Sequence, residues 1–181
     1  MEQEKKRFDA QALTRFGILT ALALVLGWLE TLIPTGMAGV KLGLGNIAIL
    51  YAVSLLGVTN AILLMLAKVL LSGILFGTMG SILYSLEGGI LSVAAMLLLQ
   101  RIPKISVILV SIGGSLFHNL GQALAACLFI PPETVFAYSP VLVVSGVVMG
   151  LLTGLIARYT LPSLKETGMN PKYEKPKDKY S

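Results

Sequence analysis

Charged and metal-ligating side chains are scarce in this chain of 181 residues. Only 13% of the residues are charged, about half the share found in an average soluble domain. The chain has one cysteine, Cys127, and one histidine, His118, and its only aspartates are Asp9 and Asp178. These shortages exclude a disulfide framework and a zinc or haem cage. They also leave no aspartate pair to hold the magnesium ions of diphosphate chemistry.

Nucleotide-binding and catalytic motifs are missing as well. The chain has no Gly-x-x-x-x-Gly-Lys-Ser/Thr phosphate loop, so we do not expect it to hydrolyse ATP. Gly43–Ala48 superficially matches a dinucleotide fingerprint but lacks the preceding strand and the βαβ context. No nucleophile, base and orienting group occur as a set. The sequence therefore predicts a protein that is not an enzyme and carries no cofactor.

Apolar residues, by contrast, are abundant. They make up 55% of the chain, and the mean hydropathy is +0.83. Because about 20 apolar residues span a bilayer as a helix, we predict an all-α integral membrane protein, a bundle of six transmembrane helices. The predicted segments are roughly 12–33, 43–57, 59–78, 81–100, 105–130 and 138–161. The first is expected to be retained rather than cleaved as a signal peptide, because its apolar stretch is too long and no clear cleavage site follows.

Lysine and arginine are distributed asymmetrically along these segments. With a cytoplasmic N-terminus, all of the 14 basic residues except Lys41 and Lys68 fall on the inner side, as the positive-inside rule requires. We expect residues 1–11 to be a cytoplasmic segment, 12–161 the membrane domain and 162–181 a polar, disordered cytoplasmic tail. The expected location is a bacterial cytoplasmic membrane. The net charge of +5 is a topology signal and does not indicate nucleic-acid binding.

Small residues recur every four positions in the first and last segments. They are Gly17 and Ala21, Ala23 and Gly27, and Gly146, Gly150 and Gly154. This spacing lets helix backbones approach closely in lipid. Two interpretations stay open: packing within the bundle, or, for the first segment, docking of a partner membrane protein.

Polar residues form stripes in three of the apolar segments. The stripes are Lys68 and Ser72; Ser81, Ser85, Gly88 and Ser92 with Tyr84 and Glu87 beside them; and Ser111, Ser115, His118 and Gln122 with Asn119 at the border. Their helical spacing places each stripe on one face, and that face should point inward because lipid offers no hydrogen-bond partner. The rise per residue along each helix places Glu87 and His118 at a similar level in the outer half of the membrane, with Lys68 nearer the middle.

These stripes allow two interpretations. In the first, Lys68, Glu87 and His118 line a ligand site. In the second, Lys68 and Glu87 form an internal ion pair, and His118 and Gln122 make hydrogen bonds between helices. Glu30 is expected to be an interfacial residue at the outer end of the first segment.

The glycine-rich loop over residues 34–46 is a second candidate site. It is either an ordinary flexible connection or a segment whose backbone approaches a ligand. In the latter case Lys41 could meet an anionic group.

Three stretches carry a resemblance to a known family. They are Gly39–Ile47 (GVKLGLGNI), Tyr84–Gly89 (YSLEGG) and Phe117–Gln122 (FHNLGQ). Together they resemble the Gx transporter family, also labelled heptaprenyl diphosphate synthase component I, over about residues 12–161. That family is similar to the substrate-binding (S) components of energy-coupling factor transporters. Such proteins have six helices, bind nutrients from outside and work with a transmembrane coupling subunit and two ATPase subunits.

The resemblance implies a role for individual residues. The implied gating-loop residues are Lys41 and Asn46; the implied pocket residues are Lys68, Tyr84, Glu87, His118, Asn119 and Gln122; the implied coupling face is Gly17, Ala21, Ala23 and Gly27. The substrate would be a small nutrient or a quinone- or isoprenoid-related precursor. The synthase label does not fit catalysis by this chain, because the metal-binding aspartates are missing.

Two other functions remain open. The chain could be a non-catalytic membrane subunit of isoprenoid, quinone or electron-transfer metabolism, which scaffolds or delivers a lipid-soluble substrate. It could also be an autonomous proton-coupled carrier that uses Glu87 and His118.

Overall fold

Six α-helices make up the part of the chain that the computed structural model describes, residues 2–33 and 42–166, and no strand occurs there. The helices are α1 (Glu2–Thr31), α2 (Asn46–Tyr51), α3 (Val58–Phe76), α4 (Met79–Leu99), α5 (Val107–Ala126) and α6 (Pro132–Leu164). All but α2 are long and apolar enough to cross a membrane. The predicted all-α helical membrane fold is therefore confirmed, and the chain is a multi-pass membrane protein.

Local sequence sets several helix ends. Thr78 caps α4 by accepting a hydrogen bond from the Ser81 backbone N–H, and the Ser81 hydroxyl accepts one from the Thr78 N–H. Ser106 caps α5 through the Leu109 N–H. Such caps satisfy backbone donors that a helix leaves unpaired at its N-terminus. They fix where α4 and α5 begin, and hence the level at which their polar stripes lie.

Helix α2 is short and buried on every side. It continues into a π-helical segment, Ala52–Leu56, and at the usual rise Asn46–Leu56 covers about 16 Å of a hydrocarbon core about 30 Å thick. Every residue of α2 is buried, and the helix packs against α1, α3, α5 and α6. The predicted second span, 43–57, is thus a core helix that crosses only about half of the membrane.

Glycines bring α4, α5 and α6 close together. A Cβ added to Gly150 of α6 would lie 2.5 Å from the Ile112 Cα of α5, and one added to Gly154 would lie 2.8 Å from the Ile108 Cα. On the other side of α5, a Cβ on Gly121 would lie 2.6 Å from the Glu87 carbonyl oxygen. The interpretation of the glycine repeat in the last helix as packing within the bundle is confirmed.

The small residues of α1 divide between two faces. Gly17 and Ala21 are exposed, whereas Ala23 and Gly27 are buried against the bundle. The cause is helical geometry, because a separation of six residues rotates Ala23 well away from Gly17. Of the four residues implied as a coupling face, only Gly17 and Ala21 are therefore exposed on the described structure.

Helix α6 is longer than predicted at both ends. It begins at Pro132 instead of residue 138, where proline takes the first helical position, and it continues past Pro162 to Leu164. The predicted tail therefore starts with helical residues. Residues 167–181, and with them most of the predicted tail, lie outside the described residues, as does Lys41 in the predicted gating loop.

Candidate functional site

The backbone just before α2 enters the bundle at membrane depth. Gly43 has a φ of +92°, and a Cβ on it would lie 3.4 Å from the His118 Cδ2. A Cβ on Gly45 would lie 2.8 Å from the Lys68 Cε and 3.1 Å from the Ala23 carbonyl oxygen. Glycine is needed at both positions, because one has a left-handed conformation and the other has no space for a side chain. The connection therefore contacts α1, α3 and α5 from within.

Lys68 and His118 lie at the same depth as this connection. Lys68 follows the start of α3 by about 15 Å, and His118 follows the start of α5 by about 17 Å, at the ~1.5 Å rise per residue. Both helices start on the same side of the bundle, since α3 and α5 are each separated from α4 by one turn of the chain. The prediction that Lys68 lies lower than His118 is thus corrected to a shared level near the middle of the membrane.

Lys68 is held by an amide of α2. Its ammonium group donates a hydrogen bond to the Asn46 Oδ1 over 3.0 Å, and the two residues are only 6% and 1% exposed. A charge at this depth costs several kcal/mol unless polar groups surround it. Asn46 supplies such a group because the connection delivers it to the first position of α2.

Glu30 is the carboxylate on this side of the bundle. It is 2% exposed, and its Oε1 accepts a hydrogen bond from the Gly45 N–H over 2.7 Å. The Lys68 Nζ lies 3.0 Å from where a Cβ on Gly45 would be, so both charged groups surround one glycine. The expectation that Glu30 is interfacial was wrong, because its side chain turns inward to hold the connection.

His118 and Gln122 are the polar residues that α5 contributes to this group. Their Nε2 atoms are 2.9 Å apart and hydrogen-bonded, and Gln122 is fully buried. Across from them α4 has Gly88, where a Cβ would lie 2.7 Å from the His118 Nδ1. The imidazole therefore occupies the space that a side chain at position 88 would fill.

Glu87 does not belong to this group. It is exposed and shares a face of α4 with Leu83, Ile90 and Leu98, which are 39%, 45% and 61% exposed. The predicted placement of Glu87 in the pocket, and its pairing with Lys68, are therefore corrected. The predicted level of Glu87 in the bundle agrees with the contact between its backbone and Gly121 of α5. Its side chain, however, lies on a different face of α4 from the polar stripe.

Asn119 and Tyr84 are buried but face other neighbours. The Asn119 Nδ2 donates to the Leu142 carbonyl oxygen over 2.7 Å and to the Ser145 Oγ over 3.1 Å, which ties α5 to α6. The Tyr84 ring meets Phe129 edge to face, with centroids 5.9 Å apart. Asn119 thus joins helices, and Tyr84 belongs to a separate apolar cluster that also contains Val135.

The serine stripes face inward as the helical spacing predicted. Ser81, Ser85, Ser92, Ser111 and Ser115 are all buried, and Ser111 hydrogen-bonds to Thr153 of α6 over 2.8 Å. The hydroxyls of Ser85, Ser92 and Ser115 have no hydrogen-bond partner, nor do the Asn46 Nδ2 and Asn119 Oδ1. Unsatisfied buried polar atoms are costly and uncommon in folded proteins. These atoms belong to α2, α4 and α5, so the interior of the bundle contains hydrogen-bonding groups that the described residues do not satisfy.

Two contributors to this interior were not predicted from the sequence, Glu30 and Thr153. Glu30 carries a detectable signal, since it is a charge inside an apolar helix. Thr153 carries none, because its role depends on its contact with Ser111 of α5. No group of three or more histidine, cysteine, aspartate or glutamate side chains is arranged to hold a metal ion in the described part of the chain.

The geometry defines a class of protein: a multi-pass membrane protein whose interior holds buried polar side chains beside the backbone of Gly43 and Gly45. The family described as heptaprenyl diphosphate synthase component I matches residues 19–160, which is well over half of the chain. The chain belongs to this family, as its three motifs predicted. Neither the curated proteins nor the solved structures contain a match to it.

Proposed function

We propose that the chain is the substrate-binding membrane subunit of an ATP-driven importer of the energy-coupling factor type. One observation carries the proposal: the glycine connection Gly43–Gly45 lies at membrane depth, directly against Lys68 and His118. Non-helical backbone is tolerated there only where it is buried in protein or lines a cavity. Transporters commonly place their substrate sites at such broken helices.

The half-length helix supports the same proposal. Because α2 covers about half of the membrane, Gly43 and Gly45 just before it lie within the bundle, beside Lys68 and His118. In this position the segment Gly43–Gly45 would act as a cover, which closes over a bound molecule and opens to release it. Asn46, at its lower end, is bonded to Lys68, so movement of the cover would be coupled to the site.

The proposed substrate is small, with a polar or acidic group and an apolar body. Lys68, Asn46 and the His118–Gln122 pair would meet the polar end, and the apolar remainder of the bundle would meet the rest. A quinone- or isoprenoid-related precursor has this chemistry. Glu30 reduces the net positive charge beside Lys68, so an acidic group would rely on hydrogen bonds from Asn46 and Gln122 as well as on charge.

The proposed partners are a transmembrane coupling subunit and two ATPase subunits. The exposed pair Gly17 and Ala21 on α1 offers the coupling subunit a surface with no bulky side chain. The chain itself would be non-catalytic and would reside in a bacterial cytoplasmic membrane. Substrate would bind from outside, the connection would close, and the partner ATPases would drive release inside.

A detergent pull-down followed by a transport assay tests this proposal. The tagged chain, expressed in its native host, should recover a membrane coupling protein together with two ATPase subunits. Uptake in proteoliposomes should then require all of these subunits and ATP. Uptake by the purified chain alone, driven by a pH gradient, would instead support the autonomous carrier.

The family description favours one second candidate, a non-catalytic membrane subunit of prenyl diphosphate metabolism. In that case the pull-down should recover a prenyl-transferring enzyme and no ATPase. The proton-coupled carrier has less support from the geometry, because Glu87 and His118 face different directions and form no relay.

A further inference from the structure

A cavity lies at the other end of the bundle from the proposed cover. It has a volume of about 340 Å³, is open on one side, and is lined by the π-helical segment Ala52–Leu56, the α4–α5 turn, the start of α5 and the end of α6. Its polar lining consists of Ser54, Gln100, Lys104 and Lys165, and apolar residues such as Ile105 and Leu161 complete it. His118 lies about 17 Å further along α5 from its start, so this cavity is separate from the site already described.

The charge of this cavity has one sign. Two of its lining residues are lysines and none is acidic. The Gln100 side-chain amide donates to the Ser54 Oγ over 3.1 Å, so two neutral polar groups line the cavity together with the lysines. The positive-inside distribution of Lys and Arg assigns this end to the cytoplasmic side.

The backbone at Lys104 is held in an unusual conformation. Its φ is +61°, and it is the one non-glycine residue with a positive φ in the described part of the chain. The turn around it is tied by hydrogen bonds from the Ile102 N–H to the Leu99 carbonyl and from the Ile105 N–H to the Ile102 carbonyl. Such strain persists only where the surroundings impose it, and it concentrates at functional sites. Here the strained turn places Lys104 at the wall of the cavity.

We propose that this cavity binds the phosphate group of an anionic phosphate ester. Lysine is a common point-charge partner of phosphate, and an amide and a hydroxyl add hydrogen-bonding capacity. The mixed polar and apolar lining suits a phosphate that carries a hydrocarbon chain, as at the inner surface of a membrane. A lipid headgroup and a soluble phosphate ester share this chemistry, and the experiment separates them.

The test is a binding measurement on the full chain in nanodiscs of phosphatidylcholine. Dioleoyl phosphatidic acid is titrated in, and bound lipid is counted by native mass spectrometry. The test variant combines Lys104→Gly with Lys165→Gln, because glycine accepts the positive φ that position 104 requires. The matched control is Arg158→Gln, which removes an exposed cation of α6 that does not line the cavity.

We expect the double variant to bind phosphatidic acid at least about tenfold more weakly than the unaltered chain, because two charged contacts are lost, while Arg158→Gln binds normally. Competition by inorganic phosphate would assign the site to the phosphate group alone, and a lack of competition would assign it to the whole lipid. Equal binding by all variants, or an equal loss in Arg158→Gln, would overturn the proposal in favour of diffuse surface attraction. Lys165→Gln alone, which leaves the turn intact, should show a partial loss and guards against misfolding of the double variant.

Discussion

At the scale of single residues, the two buried charges of the described part of the chain each form a hydrogen bond to another segment of the bundle. Lys68 bonds to Asn46 of α2, and Glu30 of α1 accepts from the Gly45 N–H. These bonds allow a cation and an anion to lie in an apolar bundle, where their burial would otherwise cost several kcal/mol. They also connect the cover to the helices on either side of it.

Asn46→Ala should destabilise the chain by about 1.5–3 kcal/mol, the usual range for a lost hydrogen bond to a charged group. Unfolding in mixed micelles, titrated with SDS, measures this change. Asn60→Ala is the matched control, because the Asn60 amide donates only to the neutral Leu56 carbonyl and should cost about 0.5–1.5 kcal/mol. A smaller effect at Asn46 than at Asn60 would contradict the role assigned to the Lys68–Asn46 bond.

Glu87→Leu should raise the melting temperature in lipid nanodiscs and leave substrate binding unchanged. The carboxylate is exposed on an otherwise apolar face of α4, and leucine is far better solvated by lipid than a charge is. Differential scanning fluorimetry reports the shift. A lower melting temperature would show that Glu87 makes a stabilising contact.

At the scale of elements, Gly43, Gly45 and α2 are packed closely against the neighbouring helices. Glycines at 43 and 45 allow the backbone to press against His118 and Lys68. Helix α2 then carries no exposed residue, so its position is fixed by packing on four sides. A change in this region is transmitted directly to the polar site.

Gly45→Ala should destabilise the chain by about 1–3 kcal/mol, as expected when extra atoms are forced into a packed interior. Gly17→Ala provides the control, since a Cβ there meets nothing within 4 Å and alanine favours the helix. The same SDS titration compares the two. Equal stability of both variants would mean that Gly45 has more room than the structure shows.

Sequence patterns located the helices and the depth of the site better than they located side-chain partners. Apolar length was sufficient to identify α3, α4 and α5, and helical spacing correctly turned His118 and Gln122 inward. Glu87 was misplaced because it sits at the edge of the α4 polar stripe, where a rotation by one residue moves it to the surface. The alternative that paired Lys68 with Glu87 was wrong for the same reason. Asn46 was expected in the gating loop, but its bond to Lys68 depends on the packing of α2, which the sequence does not give.

At the scale of the whole molecule, the bundle has two distinct ends. One part holds the connection Gly43–Gly45 at the Lys68–His118 level, and the cytoplasmic end of the proposed topology carries the basic cavity. Helix α1 lies on the periphery, with 17% of its apolar window buried, and leaves Gly17 and Ala21 exposed. Under the proposed function, this face of α1 would bind the partner and the interior would hold the substrate.

Gly17→Leu combined with Ala21→Leu should abolish recovery of the coupling subunit and ATP-dependent uptake while it leaves substrate binding intact. Two leucines would fill the gap that the small side chains of Gly17 and Ala21 leave on the surface of α1. Pull-down and bound-ligand content are measured on the same sample. Loss of bound ligand together with the partner would count against a separate coupling face.

Mass spectrometry of small molecules that co-purify with the chain tests the central claim most directly. The claim is that Lys68 and His118, beneath the glycine connection, hold the substrate. The unaltered chain and a Glu87→Gln variant should carry the same small molecule at equal occupancy, whereas Lys68→Met and His118→Ala variants with normal melting curves should carry little or none. Full occupancy in both Lys68→Met and His118→Ala would contradict the account and place the binding site elsewhere in the protein.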